Sequence, residues 1–205
     1  MGRTANSFKR SSAKYKPQPT VLVICEDAKS NRQYLEEAAL AFRVHILVEV
    51  TNCRHTDPLG IVNTAINRSD KYDRVFCVVD RDRHKNFDEA IAIGKRQGKI
   101  QVLPSFPCFE LWYLLHFHKV TKPYTEEGQN SPADCLIADL RKCEGMVNYD
   151  KGSKVSLFEQ LARRLPDARS RSARVLEEAL NVNNLNPSTR LHELFDFFET
   201  LEPKN

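Results

Sequence analysis

Residues 74–82 read RVFCVVDRD, a short apolar run rich in β-branched side chains that ends in two carboxylates. Apolar runs of roughly four to eight residues bounded by polar ones predict strands buried on both faces, as in parallel sheets. We therefore expect Asp80 and Asp82 at the carboxyl edge of a sheet, where open α/β sheets bind their ligands. Because two neighbouring carboxylates repel each other unless a cation lies between them, a hard divalent metal is the first ligand to consider.

Strands and helices alternate on both sides of this stretch. We predict further strands at residues 20–26, 44–50 and 100–103, and helices at residues 29–42, 58–68 and 86–97. This alternation is typical of an α/β fold, a parallel (Rossmann-like) sheet flanked by helices on both faces. In such a sheet, acids that follow different strands meet at one edge. They are Glu26, Asp80, Asp82, and Glu110 at the start of an apolar helix after the fourth strand.

The C-terminal part of the chain is predicted to be helical. Helical patterns occupy residues 133–143, 154–164, 168–180 and 190–201, and Ser188 or Thr189 is a natural N-cap for the last of them. We therefore divide the chain into three parts. These are a flexible basic segment (1–19), an α/β domain (20–120) and a helical part packed on the sheet (121–205).

Composition restricts the class of protein. The chain has 205 residues and is 41% apolar, which is enough for a packed core. No run of about 18 or more apolar residues occurs, and the N-terminus has no apolar signal region, so we expect a cytoplasmic protein without a membrane partner. The six cysteines form no Cys-x-x-Cys pair, which favours reduced, buried thiols over a zinc site.

Basic residues are clustered, although the net charge is only +4. Such clusters often contact nucleic acid phosphates, and the alternative is a solvated tail and a solvated helix face. The oligomeric state is left open, with a homo-oligomer as one option. The residues we predict to bind nucleic acid are Lys9, Arg10, Lys14 and Lys16 near the N-terminus and Arg163, Arg164 and Arg171 in the helical part.

The four acids favour Mg²⁺ or Mn²⁺ as cofactor, because both metals bind oxygen ligands and accept a few carboxylates together with substrate phosphate. A metal at this edge can polarise a phosphoryl oxygen and activate water. The sequence contains no P-loop, no GxGxxG after the first strand and no GxSxG. Nucleotide binding through a P-loop, a dinucleotide site and a serine hydrolase elbow are therefore not expected.

Five blocks of the sequence resemble the RloB-like family, also called the AbiLii type, whose members have a Toprim-like fold. The blocks are Ile24-Cys25-Glu26, Val78-Val79-Asp80-Arg81-Asp82, Pro107-Cys108-Phe109-Glu110-Leu111-Trp112, Tyr149-x-Lys151 and Asn186-Pro187-Ser188-Thr189. They occur in the family's order and span most of the chain. The block around Glu110 is the most specific of them.

The resemblance implies a Mg²⁺-dependent nuclease subunit of a bacterial anti-phage, abortive-infection system that works with an ABC/AAA-type ATPase partner. Glu26 would then be a metal ligand or general acid/base, and Asp80 and Asp82 would be metal ligands. Glu110 would be an auxiliary ligand, and Lys151 would contact phosphate or stabilise transition-state charge.

Two alternatives remain open. The first is a catalytically silent nucleic-acid-binding or scaffold subunit, and it rests on departures from the family pattern. In Toprim proteins the glutamate that corresponds to Glu26 is usually followed by glycine, whereas here Asp27 follows it. Family members usually have Thr-Glu at the positions that Ser30 and Asn31 occupy here. The second is a receiver-like phosphoacceptor domain, which also gathers acids at this edge but gives the C-terminal helices and Glu110 no role.

Overall fold

The computed structural model describes residues 19–25, 30–42, 46–48, 57–81, 85–151 and 156–201. The strands are β1 (Val21–Cys25), β2 (Ile46–Val48), β3 (Arg74–Asp80), β4 (Ile100–Phe106) and β5 (Ser188–Thr189). The helices are α1 (Ser30–Ala41), α2 (Pro58–Arg68), α3 (Phe87–Lys95), α4 (Glu110–Leu115), α5 (Pro132–Leu140), α6 (Leu157–Leu161), α7 (Leu165–Asn181) and α8 (Leu191–Leu201). Short 3-10 turns at Ser69–Lys71 and Ala162–Arg164 follow α2 and α6.

The strands form one open sheet in the order β2-β1-β3-β4-β5. The first four strands are mutually parallel, which confirms the predicted α/β fold with a mostly parallel sheet flanked by helices. In the register, Cys25 lies opposite Val78, and Asp80 lies opposite Ser105. The carboxyl ends of β1, β3 and β4 are therefore close to level, and Asp80 lies at this edge of the sheet.

The edge beyond β4 differs from the prediction. Ser188 and Thr189, predicted as an N-cap, form the short strand β5, which pairs antiparallel with Phe106 and Ser105. Thr189 also accepts a hydrogen bond from the Leu191 amide at 3.3 Å, so part of the capping role is kept. β4 itself continues past Leu103 to Phe106, because Pro104 and Ser105 pair with β3 and Ser105 and Phe106 pair with β5. The Pro104 carbonyl also accepts a hydrogen bond from the Arg190 amide at 3.2 Å.

Side chains on β1 and β3 alternate between two buried clusters, as the two-residue period of a strand requires. Val75, Cys77 and Val79 pack on the face that α2 and α3 cover. Phe76 and Val78 pack on the other face, in the larger cluster that includes residues of α1 and of helices α4 to α8. Because Asp80 is in phase with Phe76 and Val78, its side chain belongs to the second face.

Helix α4 lies at the centre of the larger cluster. All six of its residues are buried, as the apolar pattern after Glu110 predicts. The Trp112 ring stacks on the Phe195 ring of α8 with centroids 4.9 Å apart, and the Trp112 indole donates a hydrogen bond to the Tyr34 hydroxyl of α1. The sheet and the C-terminal helices therefore share one hydrophobic core.

Two further sequence predictions can be compared with the described residues. Cys25, Cys77 and Cys108 are buried, and Cys135 and Cys143 are half-buried; Cys53 lies outside the described residues. None of the described helices is long and apolar enough to cross a lipid bilayer.

Candidate functional site

Asp80 ends β3 and turns its carboxylate toward the start of α4. Its Oδ1 accepts a hydrogen bond from the Phe109 amide at 2.9 Å, which ties the end of the strand to the residue before the helix. The side chain is 15% exposed, so it reaches solvent at the sheet edge while it remains mostly enclosed. Because Phe109 directly precedes Glu110, this contact places Asp80 beside Glu110. Asp80 and Phe109 are 29 positions apart in the chain.

Glu110 is the first residue of α4, and its side chain is 0% exposed. The Tyr149 hydroxyl donates a hydrogen bond to Glu110 Oε1 at 3.0 Å. Glu110 Oε2 is also buried, and it has no hydrogen-bond partner among the described residues. A buried carboxylate oxygen without a donor is costly, so this atom marks a place where a cation or a donor from a ligand would be stabilised.

Lys151 completes the group. Its Nζ lies 3.9 Å from Asp80 Oδ2 and 3.9 Å from Glu110 Oε1. At this separation the ammonium compensates the two negative charges electrostatically while remaining 45% exposed to solvent. The structure thus brings together three predicted site residues, Asp80, Glu110 and Lys151. The other two, Glu26 and Asp82, lie outside the described residues.

Cys108 borders this group without adding a nucleophile to it. Burial raises the pKa of its thiol well above the usual value, and the neighbouring Glu110 and Asp80 carboxylates raise it further. Without a bound metal the thiol is therefore neutral at pH 7, and a neutral thiol is a poor nucleophile.

Tyr149 belongs to the site, although the site prediction did not include it. The phenol reaches Glu110 because the segment after α5 folds back over α4, where Arg141 Nε donates to the Tyr149 carbonyl at 2.9 Å. A sequence signal did exist, since Tyr149 stands two residues before Lys151 in one of the family-like blocks. The signal did not say which atom the hydroxyl would contact, because that depends on packing.

The donor set fits a hard divalent cation. Asp80 and Glu110 supply carboxylate oxygens, and Glu110 Oε2 is a buried acceptor without a donor. Within the described ranges, no group of three or more His, Cys, Asp or Glu side chains could hold a metal ion. A metal at this edge would therefore need further oxygen ligands, for which water, substrate phosphate and the undescribed Glu26 and Asp82 are the candidates.

Two of the three predicted nucleic-acid-binding arginines have partners within the protein. Arg164 forms an ion pair with Glu144 at 2.8 Å and lies over the Phe117 ring. Arg171 Nη1 donates to the Leu115 and His116 carbonyls at the end of α4. Arg163 is exposed. Lys9, Arg10, Lys14 and Lys16 lie outside the described residues. Nucleic acid binding by these seven residues stays a prediction.

A cavity of about 580 Å³ lies away from the carboxylates. It is lined by β4, α3 and the end of α7, including Val102, Phe106, Ile91 and Leu180, and none of Asp80, Glu110 and Lys151 lines it. Val102 and Phe106 pack on the α2 and α3 face of the sheet, opposite the face that carries Asp80. We place the candidate site at the carboxylates because two acids, a lysine and a buried acceptor without a partner among the described residues meet there.

Fold and site together describe an α/β protein with two carboxylates and a lysine at the carboxyl edge of a mostly parallel sheet. The family model RloB, described as "RloB-like protein", matches residues 21–197. The chain therefore belongs to the RloB-like family. No curated protein and no solved structure matches the chain.

Proposed function

We propose that this chain is the nuclease subunit of a bacterial anti-phage system of the abortive-infection (AbiLii) type and that it cleaves phosphodiester bonds with Mg²⁺ or Mn²⁺. The proposal rests on the resemblance to Toprim-like nucleases and on one structural observation. That observation is the meeting of Asp80, Glu110 and Lys151 at the sheet edge, with the buried Glu110 Oε2 lacking a partner among the described residues.

The residues of the site have separable roles in this proposal. Asp80 and Glu110 would hold the metal, together with Glu26 and Asp82. A metal held there would supply Lewis-acid activation of a phosphoryl oxygen and of water. Lys151 would contact a phosphate oxygen of the substrate, because its ammonium is already held between two carboxylates and partly open to solvent. An ATPase partner would supply the nucleotide-driven step for which this chain has no P-loop.

The test is cleavage of labelled single-stranded DNA, duplex DNA and RNA in Mg²⁺, in Mn²⁺ and in EDTA, with and without the ATPase partner. Asp80→Asn keeps an oxygen that can accept from the Phe109 amide but removes the charge. We expect it to lower cleavage by at least about 100-fold, since groups that only support metal ligands already contribute ~10–100-fold.

Asp139→Asn is the matched control, because Asp139, like Asp80, accepts a hydrogen bond and pairs with a lysine but lies outside the site. This variant should cleave like the wild type. Cleavage by Asp80→Asn at the wild-type rate would show that the site is wrongly assigned.

A second candidate function, a catalytically silent nucleic-acid-binding or scaffold subunit, is favoured by Asn31. This residue is 3% exposed, and its Oδ1 is buried without a hydrogen-bond partner among the described residues. A neutral amide stands at the position where the resemblance to the family implies, as a rule, a carboxylate. A silent subunit would bind nucleic acid with strong salt dependence, and binding would persist in EDTA and in Asp80→Asn. Metal-dependent cleavage by the wild type would exclude this alternative.

A further inference from the structure

The two oxygens of the Glu110 carboxylate have different surroundings. Oε1 accepts the Tyr149 hydroxyl at 3.0 Å and lies 3.9 Å from Lys151 Nζ. Oε2 is buried and has no partner among the described residues. Because a phenol has one proton to donate, Tyr149 can hold only one of the two oxygens. The hydrogen bond therefore selects the rotation of the carboxylate and determines which oxygen is left for a ligand.

Tyr149 is itself held from two sides. Its ring packs edge-on against the Tyr113 ring of α4, with centroids 5.8 Å apart and planes at 67°. Its carbonyl accepts from Arg141 Nε at 2.9 Å, at the end of α5. The side chain is 6% exposed overall, so water does not replace the phenol easily. These contacts give the hydroxyl a defined position over α4.

We propose that Tyr149 is a positioning residue that fixes the Glu110 carboxylate so that Oε2 is presented to a hard divalent cation. The inference rests on the metal site of the proposed function, and it adds a residue to which no role in that site has been given. Groups that orient a metal ligand through a hydrogen bond commonly change metal affinity by about 10–100-fold when they are removed. The Tyr149 hydroxyl lies over α4 and is hydrogen-bonded to Glu110 Oε1, as this role requires.

A purely structural role makes a different prediction. If Tyr149 only satisfies a buried carboxylate, its loss should lower the free energy of unfolding and leave the affinity for metal unchanged. If Tyr149 positions the carboxylate, the affinity for metal should fall even where the protein is fully folded. Metal affinity therefore distinguishes the two roles, and it can be measured without a nucleic acid substrate.

The experiment compares Mn²⁺ binding to the full chain and to Tyr149→Phe by titration calorimetry and by the paramagnetic resonance signal of free Mn²⁺. Tyr149→Phe keeps the ring contact with Tyr113 and removes only the hydroxyl. We expect its Mn²⁺ dissociation constant to rise by about 10-fold or more, and the Mn²⁺ concentration needed for half-maximal cleavage to rise with it.

Tyr124→Phe is the matched control. The Tyr124 hydroxyl donates to Asp139 at 3.1 Å and the residue is buried, so the variant also loses a tyrosine–carboxylate hydrogen bond. It should keep the wild-type affinity for Mn²⁺. Arg141→Gln provides a second variant if Tyr149→Phe does not fold, because it loosens the Tyr149 backbone and leaves the phenol in place. We expect it to weaken Mn²⁺ binding by a smaller factor.

The outcomes separate this inference from the proposed function. Equal Mn²⁺ affinity in the wild type and Tyr149→Phe overturns the positioning role and leaves the nuclease proposal standing. Absence of Mn²⁺ binding to the wild type overturns both. Weaker binding in Tyr149→Phe together with unchanged binding in Tyr124→Phe supports the inference.

Discussion

His116 lies buried at the end of α4, where burial lowers its pKa from 6.5 to about 4. The imidazole is neutral at pH 7 and is satisfied on both sides. Nδ1 lies 2.9 Å from the Trp112 carbonyl and must donate to it, which leaves Nε2 to accept from the Tyr34 hydroxyl at 3.3 Å. A proton added to Nε2 would remove this acceptor and place a charge in the core.

The lowered pKa predicts a stability change between pH 7 and pH 5. In this range the unfolded chain binds a proton at His116 that the folded chain does not bind. The free energy of unfolding therefore decreases as the pH is lowered. The contribution is about 2 kcal/mol, since one pKa unit corresponds to about 1.4 kcal/mol. Between pH 7 and pH 5, the free energy of unfolding from urea denaturation should decrease by about 2 kcal/mol less in His116→Gln than in the wild type.

His118 provides the control for this measurement, because its side chain is exposed. His118→Gln should show the same pH dependence as the wild type. An unchanged pH dependence in His116→Gln would mean that other groups cause the loss of stability at low pH.

At the site, the sequence predicted residue types better than it predicted contacts. Asp80, Glu110 and Lys151 were predicted from strand ends and from family-like blocks, and the structure brings these three together. Tyr149 was missed because 39 residues separate it from Glu110, and only the fold of the intervening loop and α5 brings the two side chains into contact. Hydrogen bonds of this kind leave no periodic pattern in the sequence.

Among the elements, α3 and β4 pack closely at Gly94. A Cβ built on Gly94 would lie 2.4 Å from Val102 Cγ2, which is far inside van der Waals contact. Val102 is short and β-branched, so its methyl group cannot turn away freely. The glycine therefore permits the close approach of the helix to the strand.

Gly94→Ala should lower the free energy of unfolding. Overpacking costs about 1–3 kcal/mol, and the higher helix propensity of alanine offsets at most about 1 kcal/mol of this. We expect a net loss of about 1 kcal/mol in urea denaturation. Removing the facing methyl group in Gly94→Ala/Val102→Ala should relieve the steric part of the loss, so the two substitutions should be non-additive.

Gly98→Ala is the matched control, because a Cβ at Gly98 would meet no atom within 4 Å. Its free energy of unfolding should stay within about 0.5 kcal/mol of the wild type. Equal effects of the two glycine substitutions would show that packing at Gly94 is not limiting.

Two arginines of α7 form contacts that connect this helix to its neighbours. Arg169 pairs with Asp196 and Glu199 of α8, and Arg171 donates to the carbonyls at the end of α4. From the sequence, Arg171 is predicted to be part of a basic surface that binds nucleic acid. Only the packing of α7 between α4 and α8 reveals that Arg169 and Arg171 hold helices together.

At the scale of the whole molecule, one hydrophobic cluster joins the sheet to the C-terminal helices. It contains Val21 and Phe76 from the strands together with Leu136, Leu161 and Phe195 from the helical part, all of them buried. The predicted division at residue 120 therefore crosses a continuous core. The division into residues 20–120 and 121–205 stays a prediction, and unfolding experiments can test whether the two parts unfold together.

We expect a single cooperative unfolding transition. Trp112 is the only tryptophan, and its ring stacks on Phe195, so its fluorescence reports the contact between α4 and α8. The midpoints from tryptophan fluorescence and from far-ultraviolet circular dichroism should coincide. Phe195→Ala should lower both midpoints together and cost about 3–5 kcal/mol, since the side chain is fully buried. Two separate transitions would show that residues 20–120 and 121–205 unfold independently.

The sequence by itself determined the α/β class, the parallel strands and the position of Asp80 at the carboxyl end of its strand. These features follow from local patterns, because an apolar run must be buried and a carboxylate marks the point where the run ends. Tertiary structure alone decided that β5 adds an antiparallel edge, that Tyr149 holds one oxygen of Glu110, and that Lys151 faces both Asp80 and Glu110. These contacts join residues 39 or more positions apart, and their geometry depends on how the helices pack around α4.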